Sequence, residues 1–481
     1  MNTPTRRRFL HASCGLSALT LAAPRAWAQA PSIDARFDEV RDEIQRAVAA
    51  GQAPSIAVAA AQSGRILWEE GFGWADKERR IPASPHTRYA VASVAKPFVA
   101  TGLMALVERG RVDLDRSVND YLSRRARITG CAGDARAATV RRVLQHRAGL
   151  PAHNRFFYSD EAIAAPSMEE TIRRYGILVS APEERYLYSN LGYGIIAYIT
   201  ARASDVPFAE YMRANVFAPL GLTRTSLEIE RDLSAEAAAI YGGDGAPIPY
   251  YVFDEWGAGR VWSTAHDLVR FGMFHLKARL PDQTPVLSDS AIDQMVSDNH
   301  TTGAPGGYYG TDWFYGLGWG GRHASQYGPG WYGHEGGMPG VSAQLKLFPD
   351  ERIAIAVVSN GRQDLTYSLV NRIADALLPD FAAMRVNDPT NQPRPPVTFA
   401  PGELAGVWTG EIATAPTRTP VQLEFESGGT GRIRIGDQPP GTLTNLLLEN
   451  NWLTGACADA TLPTEDVRAY PHALRLDLAV R

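Results

Sequence analysis

The chain has 481 residues, 45% of them hydrophobic and 21% charged, with a formal charge of −4. That length exceeds what one core holds, and the balance is that of a soluble folded protein with two or three domains. The mild acidity argues against nucleic acid or an anionic membrane as a partner.

Residues 1–28 read as an export signal. Thr5-Arg6-Arg7-Arg8-Phe9-Leu10 resembles a twin-arginine sequence, an apolar stretch follows around Leu16–Ala23, and Ala26-Trp27-Ala28 is a small-x-small cleavage site. The apolar run is too short to span a bilayer, so no stable membrane anchor is expected after cleavage. A plain Sec signal is the alternative. Cleavage removes four arginines and no acid, taking the formal charge to −8. The expected location is periplasmic or secreted. Cys14 leaves with the signal, and the two remaining cysteines, Cys131 and Cys457, read as free or buried thiols, with a bond between them as the alternative.

Phe37, Val40, Ile44 and Val48 recur with helical period and stop before Gly51. "SIAVAAAQSGRILWEEGFGW" reads as a hairpin turning at Ser63-Gly64. Helical and loop-rich sequence fills about 94–330. "GVSAQLKLF" and "RIAIAVVSN" form a second hairpin around Pro349-Asp350-Glu351, and a helix near 365–378 follows. This order predicts an α+β fold: an antiparallel sheet made from both chain ends, flanked by helices, with a helical insertion. A Pro-rich linker over 381–402 then separates the domain at 29–380 from short alternating strands over 403–481. Those strands predict a small all-β barrel or sandwich.

Only four of the 48 basic residues are lysines, at 77, 96, 277 and 346. Arginine stays protonated, whereas a desolvated lysine loses its proton near neutrality and serves as a base. Lys96 stands three residues after Ser93, at the start of an apolar helical stretch, so the two share one helix face. A buried, neutral Lys96 would take the Ser93 proton, and the helix N-terminus would supply donors for an oxyanion. Read alone, the pair is more simply a helix cap and a surface charge, since a four-residue pattern is weak.

Tyr188-Ser189-Asn190 precedes another apolar helix. Its phenol suits a proton relay and its carboxamide suits a substrate amide; alone, they read as a loop tyrosine and a cap. His334-Glu335-Gly336-Gly337 lies just before or at the start of a strand. Glycines there admit a substrate backbone, while a Gly-rich turn with a solvated His-Glu pair is the plainer reading. His334-Glu335 lacks the second histidine of a metalloprotease helix, and no Cys/His cluster has zinc spacing. No metal or organic cofactor is expected.

Together these segments, with "TVRRVLQHRAGLP" and "GRVWSTAHDLVRF", resemble the serine β-lactamase and penicillin-binding-protein superfamily over about 33–378. The nearest likeness is to class C β-lactamases, D-aminopeptidases, DD-carboxypeptidases and related esterases. The resemblance implies Ser93 as acylated nucleophile, Lys96 as base and Tyr188 as proton relay. It implies Asn190, His334, Glu335 and Gly336 at the substrate, and backbone N–H groups of Ser93 and Gly337 as oxyanion hole. It also likens the C-terminal strands, weakly, to lipocalin-like domains. Glu335 stands where the family has Thr or Ser. Facing the site, it would repel a carboxylate substrate; facing outward, it would say little. The aromatic residues Tyr308, Tyr309, Trp313, Phe314, Tyr315, Trp319, Trp331 and Tyr332 read either as a cleft wall or as core. The expected protein is a serine hydrolase acting on a small ester or on a peptide of D-amino-acid type. A carboxylesterase without peptidase activity, a β-lactamase or an idle penicillin-recognising scaffold are the alternatives.

Overall fold

The computed structural model describes residues 34–227, 237–297, 300–301, 313–361, 363–386, 388, 404–413, 418–449, 452–460 and 474–479. The expected export signal, Tyr308, Tyr309 and most of the expected linker lie outside the described residues. Helix α1 (Asp38–Ala49) turns Val40, Ile44 and Ala47 inward, as its periodicity predicts. Strands β1 (Ser55–Gln62) and β2 (Arg65–Asp76) form the first hairpin. Ser63 and Gly64 both take positive φ, 50° and 78°, the turn geometry that matches strand twist.

The far end of the domain completes the sheet. Strands β3 (Trp331–Met338), β4 (Val341–Phe348) and β5 (Ile353–Ser359) run antiparallel, and β5 pairs with β1 so that Ile56 faces Ser359. Short strands at Gly320–Arg322, Trp313–Tyr315 and His300–Thr301 continue beyond β3, and Ile81–Pro82 lies beyond β2. The segment with His334 is thus a strand of its own, hairpinned to β4.

Strand alternation sorts the sheet into two faces. Ile56, Val58 and Ala60 join a core beneath α1 and α5 (Gln363–Leu377), with Leu369 and Ile373. Ala57, Ala59 and Ala61 face the other core, with α2 (Ala95–Glu108) and α4 (Ala265–His275). Between them in sequence lies α3 (Asn190–Ser204). Every residue of α2 from Ala95 to Leu106 is buried, as its apolar composition on all sides requires.

The expected linker starts late. Phe381–Val386 form helix α6, and Phe381 packs edge-on to Phe348 with ring centroids 5.6 Å apart. An apolar anchor there outweighs the Pro-rich composition farther on. Six strands between Gly406 and Ala479 then form an antiparallel meander in chain order, around Leu423, Phe425, Ile433, Ile435 and Leu443. Cys131 is exposed, Cys457 is buried, and both are free thiols.

Candidate active site

A 3₁₀ turn over Ala92–Val94 carries Ser93 into α2. Ala92, immediately before it, has φ +46°, a conformation uncommon for a residue with a side chain. Lys96 lies on the next turn, with no exposed surface. Its Nζ is 3.0 Å from Ser93 Oγ, 2.7 Å from Asn190 Oδ1 and 3.1 Å from the Ala258 carbonyl. The last two are acceptors only, so they take two N–H groups. A neutral amine then has one lone pair left, directed to the serine hydroxyl. Burial drives the Lys96 proton affinity well below the lysine range, with Glu255 opposing.

Tyr188 and Tyr193 flank the amine, which sits 4.6 Å and 5.5 Å from their ring centroids. Tyr188 in turn packs on His146, centroids 4.3 Å apart. The His146 Nδ1 accepts the Ser189 backbone N–H at 3.0 Å, and burial, together with Lys96 and His334, keeps the ring neutral. Ser189 caps α3 through Gly192 N–H at 3.0 Å, so Asn190 is the first helical residue and not the cap.

The Asn190 amide is committed within the protein. Its Oδ1 receives Lys96, while Nδ2 donates to Asn154 Oδ1 at 2.6 Å and to the His153 carbonyl at 3.2 Å. Here the amide that the sequence reading offers to a substrate lies against Lys96, Asn154 and the His153 carbonyl.

His334 projects from β3 on the Ser93 side. Its Nδ1 donates to the Glu335 carbonyl at 2.6 Å, leaving Nε2 to accept the Tyr315 hydroxyl at 2.9 Å. Burial and the nearby Lys96 pull its proton affinity down to about 3, so the ring is neutral at ordinary pH. A Cβ on Gly336 would lie 2.1 Å from the Val91 carbonyl oxygen. Only glycine lets β3 come this close to the Ser93 turn. The Gly320–Arg322 strand covers β3 only as far as Gly333. Among the described residues no further strand pairs with the β3 edge beyond Gly333, which runs beside the Ser93 turn and includes Gly337.

Glu335 is a correction. It pairs with Gln344, while His334 pairs with Leu345. Leu345 belongs to the core on the Ser93 side, so Glu335 points to the opposite face, shared with Lys346 and α5. The aromatic residues are mostly core: Phe314, Trp319 and Tyr332 are buried in the main cluster, and Tyr315 orients His334.

Sequence reasoning missed a buried acid pair behind Lys96. Asp254 and Glu255 are 0% and 2% exposed. His153 Nε2 sits 3.0 Å from Asp254 Oδ1, and Thr171 donates to Asp254 Oδ2 at 2.8 Å. Burial opposes the Asp254 charge, but these donors hold its carboxyl below the usual range. Burial, with Asp254 alongside, pushes Glu255 well up. No local motif marks this pair.

The family model described as Beta-lactamase matches residues 40–379. Penicillin-binding protein 4* of Bacillus subtilis (strain 168) is 27% identical over 338 residues, covering 64% of this chain and 69% of that protein. Penicillin-binding protein 4 of Amycolatopsis lactamdurans is 28% identical, covering 78% and 96%. Among solved structures, SurE with D-Leu superposes with TM-score 0.64 at 19% identity, over 92% of this chain and 98% of that one. With the Ser93–Lys96 pair, the Tyr188 segment and the open β3 edge in one place, and the family match spanning all three, the chain belongs to the β-lactamase family of penicillin-binding proteins and class C β-lactamases.

Proposed function

We propose that the chain is an exported serine hydrolase that works through an acyl-enzyme on Ser93. The observation that carries this reading is the Lys96 amine, fully buried, with two N–H groups occupied and its remaining direction on Ser93 Oγ. Ser93 Oγ attacks the carbonyl carbon of an ester or amide while its proton passes to Lys96 Nζ. The negative oxygen that forms is received by the N–H groups of Ser93 and Gly337. Lys96, with Tyr188 beside it, returns the proton to the departing alcohol or amine. Water then attacks the acyl-enzyme and gives a proton to the same amine, which returns it to Ser93 Oγ as the acyl–oxygen bond breaks and the acid leaves.

The open β3 edge favours a substrate with a peptide-like backbone, since it offers strand-type hydrogen bonds to an extended acyl group. A D-amino-acid amide or peptide is the first substrate class, and a small ester the second. A fluorophosphonate probe followed by mass spectrometry tests the nucleophile. Hydrolysis of D-amino-acid p-nitroanilides, p-nitrophenyl esters and nitrocefin by one sample tests the substrate class. Labelling of Ser93 with turnover of the anilides is expected. No labelling, or labelling of another serine, overturns the reading, and nitrocefin as the best substrate overturns the substrate class alone.

A further inference from the structure

Three side chains from distant parts of the chain meet outside the catalytic centre. Glu69 comes from β2, His86 from the turn over residues 84–87, and His266 from the first turn of α4. The His266 Nδ1 lies 2.6 Å from Glu69 Oε2, and His86 Nε2 lies 3.8 Å from Glu69 Oε1. The two imidazole centroids are 4.7 Å apart, and the three ligand atoms all fall within 4.8 Å of one another.

The positions are held from several sides. Ser84 N–H donates to Thr87 Oγ1 at 2.9 Å, and Thr87 N–H to the Ser84 carbonyl at 3.0 Å, which closes the turn around His86. His266 N–H donates to the Pro85 carbonyl at 3.2 Å and ties the turn to α4. Glu69 sits on a strand deep in the register, opposite Ala59.

The partners of Glu69 differ from those of the carboxylates around it. Nearby carboxylates meet arginines or fixed donors: Glu70 pairs with Arg41, Asp282 with Arg270, and Asp267 accepts Thr225 Oγ1 and Arg224 N–H. Among the described residues, the ionic partners of Glu69 are the two histidines. Two imidazoles and one carboxylate, with open directions toward solvent, are the donor set of zinc and related divalent cations, not of magnesium or calcium.

We propose that Glu69, His86 and His266 bind one divalent transition-metal cation of the zinc class. The cation replaces the hydrogen-bonded proton between His266 and Glu69 and draws His86 in by a side-chain rotation. Its place in the fold gives it a structural task. Tyr89–Ala90 pairs with Trp262–Ser263, so both histidines flank the strand pair that leads to Ser93. A metal there clamps β2, the 84–87 turn and α4 together on the approach to the nucleophile. The inference is independent of the proposed reaction.

The test uses the full chain, stripped with EDTA and re-exchanged. Equilibrium dialysis against micromolar ZnCl₂ should give one zinc per chain, and the melting temperature should rise by about 2–5 °C at a hundredfold excess over Kd. Glu69→Gln, which keeps the shape, and His266→Ala should each abolish both effects. His86→Ala should weaken binding by at least about tenfold, since a lost ligand costs no less than a lost outer-shell partner. Ser93→Ala should bind as the parent does, which separates this site from the catalytic centre. Circular dichroism of each variant without metal keeps a folding defect apart from a ligand loss. Absence of stoichiometric zinc, binding that survives the His86→Ala/His266→Ala double substitution, or equal affinity for Mg²⁺ would each overturn the proposal.

Discussion

Adding one methyl group at Gly336 tests how the site is assembled. A Cβ there would lie 2.1 Å from the Val91 oxygen, 3.1 Å from its carbonyl carbon and 3.2 Å from Ala92 Cβ. The first contact is short of an ordinary C···O approach by about 1 Å. Its partner is backbone, fixed by Val91 N–H donating to Val261, so β3 must move instead. A retreat of ~1 Å carries the Gly337 N–H away from the oxyanion position. Misplacement on that scale, or loss of one oxyanion donor, lowers kcat by about 10² or more. Overpacking costs about 1–3 kcal/mol of stability. Gly336→Ala should therefore reduce kcat on a p-nitrophenyl ester by about a hundredfold, slow fluorophosphonate labelling to match, and lower the melting temperature. Gly337→Ala, at an exposed neighbour, should be far milder. A Gly336→Ala enzyme with parental kcat and melting temperature would refute the close approach and the oxyanion role built on it.

Lys96→Arg should lose at least ~10² in kcat despite keeping its charge, since arginine supplies no lone pair to Ser93; parental turnover would reduce Lys96 to a structural cation. Burial depresses the folded-state affinity of Lys96 below its unfolded value, so parental stability should rise with pH between those two values, and Lys96→Met should lack that contribution, as urea melts at pH 6 and 9 would show. Asn190→Asp places a carboxylate beside the amine and favours its charged form; activity, present above the Lys96 pKa and lost as pH falls through it, should have its acid limb moved to higher pH in kcat/KM profiles. Glu335→Thr should leave the ratio of nitrocefin to neutral-ester kcat/KM within about twofold, because the side chain lies on the far face of the sheet; a tenfold change would return it to the substrate.

What the sequence disclosed follows the range of the interaction. Ser93 and Lys96 are three residues apart on one helix, so their meeting is dictated by helix geometry. Both main hairpins were legible because each closes on a short turn. The face of Glu335 was not, since alternation decides it only once the strand start and register are known, and those depend on β4. Asn190 looked free because its partners, Asn154 and Lys96, lie 36 and 94 residues away. The Asp254–Glu255 pair and the His86–His266 meeting have the same cause. Burial and convergence across the fold created them, and neither leaves a local spacing. Phe381 shows the reverse error, where composition suggested a linker and one aromatic contact extended the domain.

The pairing of Ile56 with Ser359 also sets an order of events during synthesis. A ribosome adding about 5–20 residues per second takes roughly 15–60 s to travel from one to the other. Through that interval β1 has β2 on one side and nothing on the other, with an apolar edge able to recruit a neighbouring chain. Closing a loop of about 300 residues then costs ~5 kcal/mol of chain entropy before the central pairing forms. The helical insertion therefore matters to yield as well as to the candidate site: packing α2 and α3 early shortens the effective loop and shields the waiting strand. Protease protection of β1 on stalled nascent chains should appear only after residue 359 has emerged, and chains stopped before β5 should be the ones that aggregate.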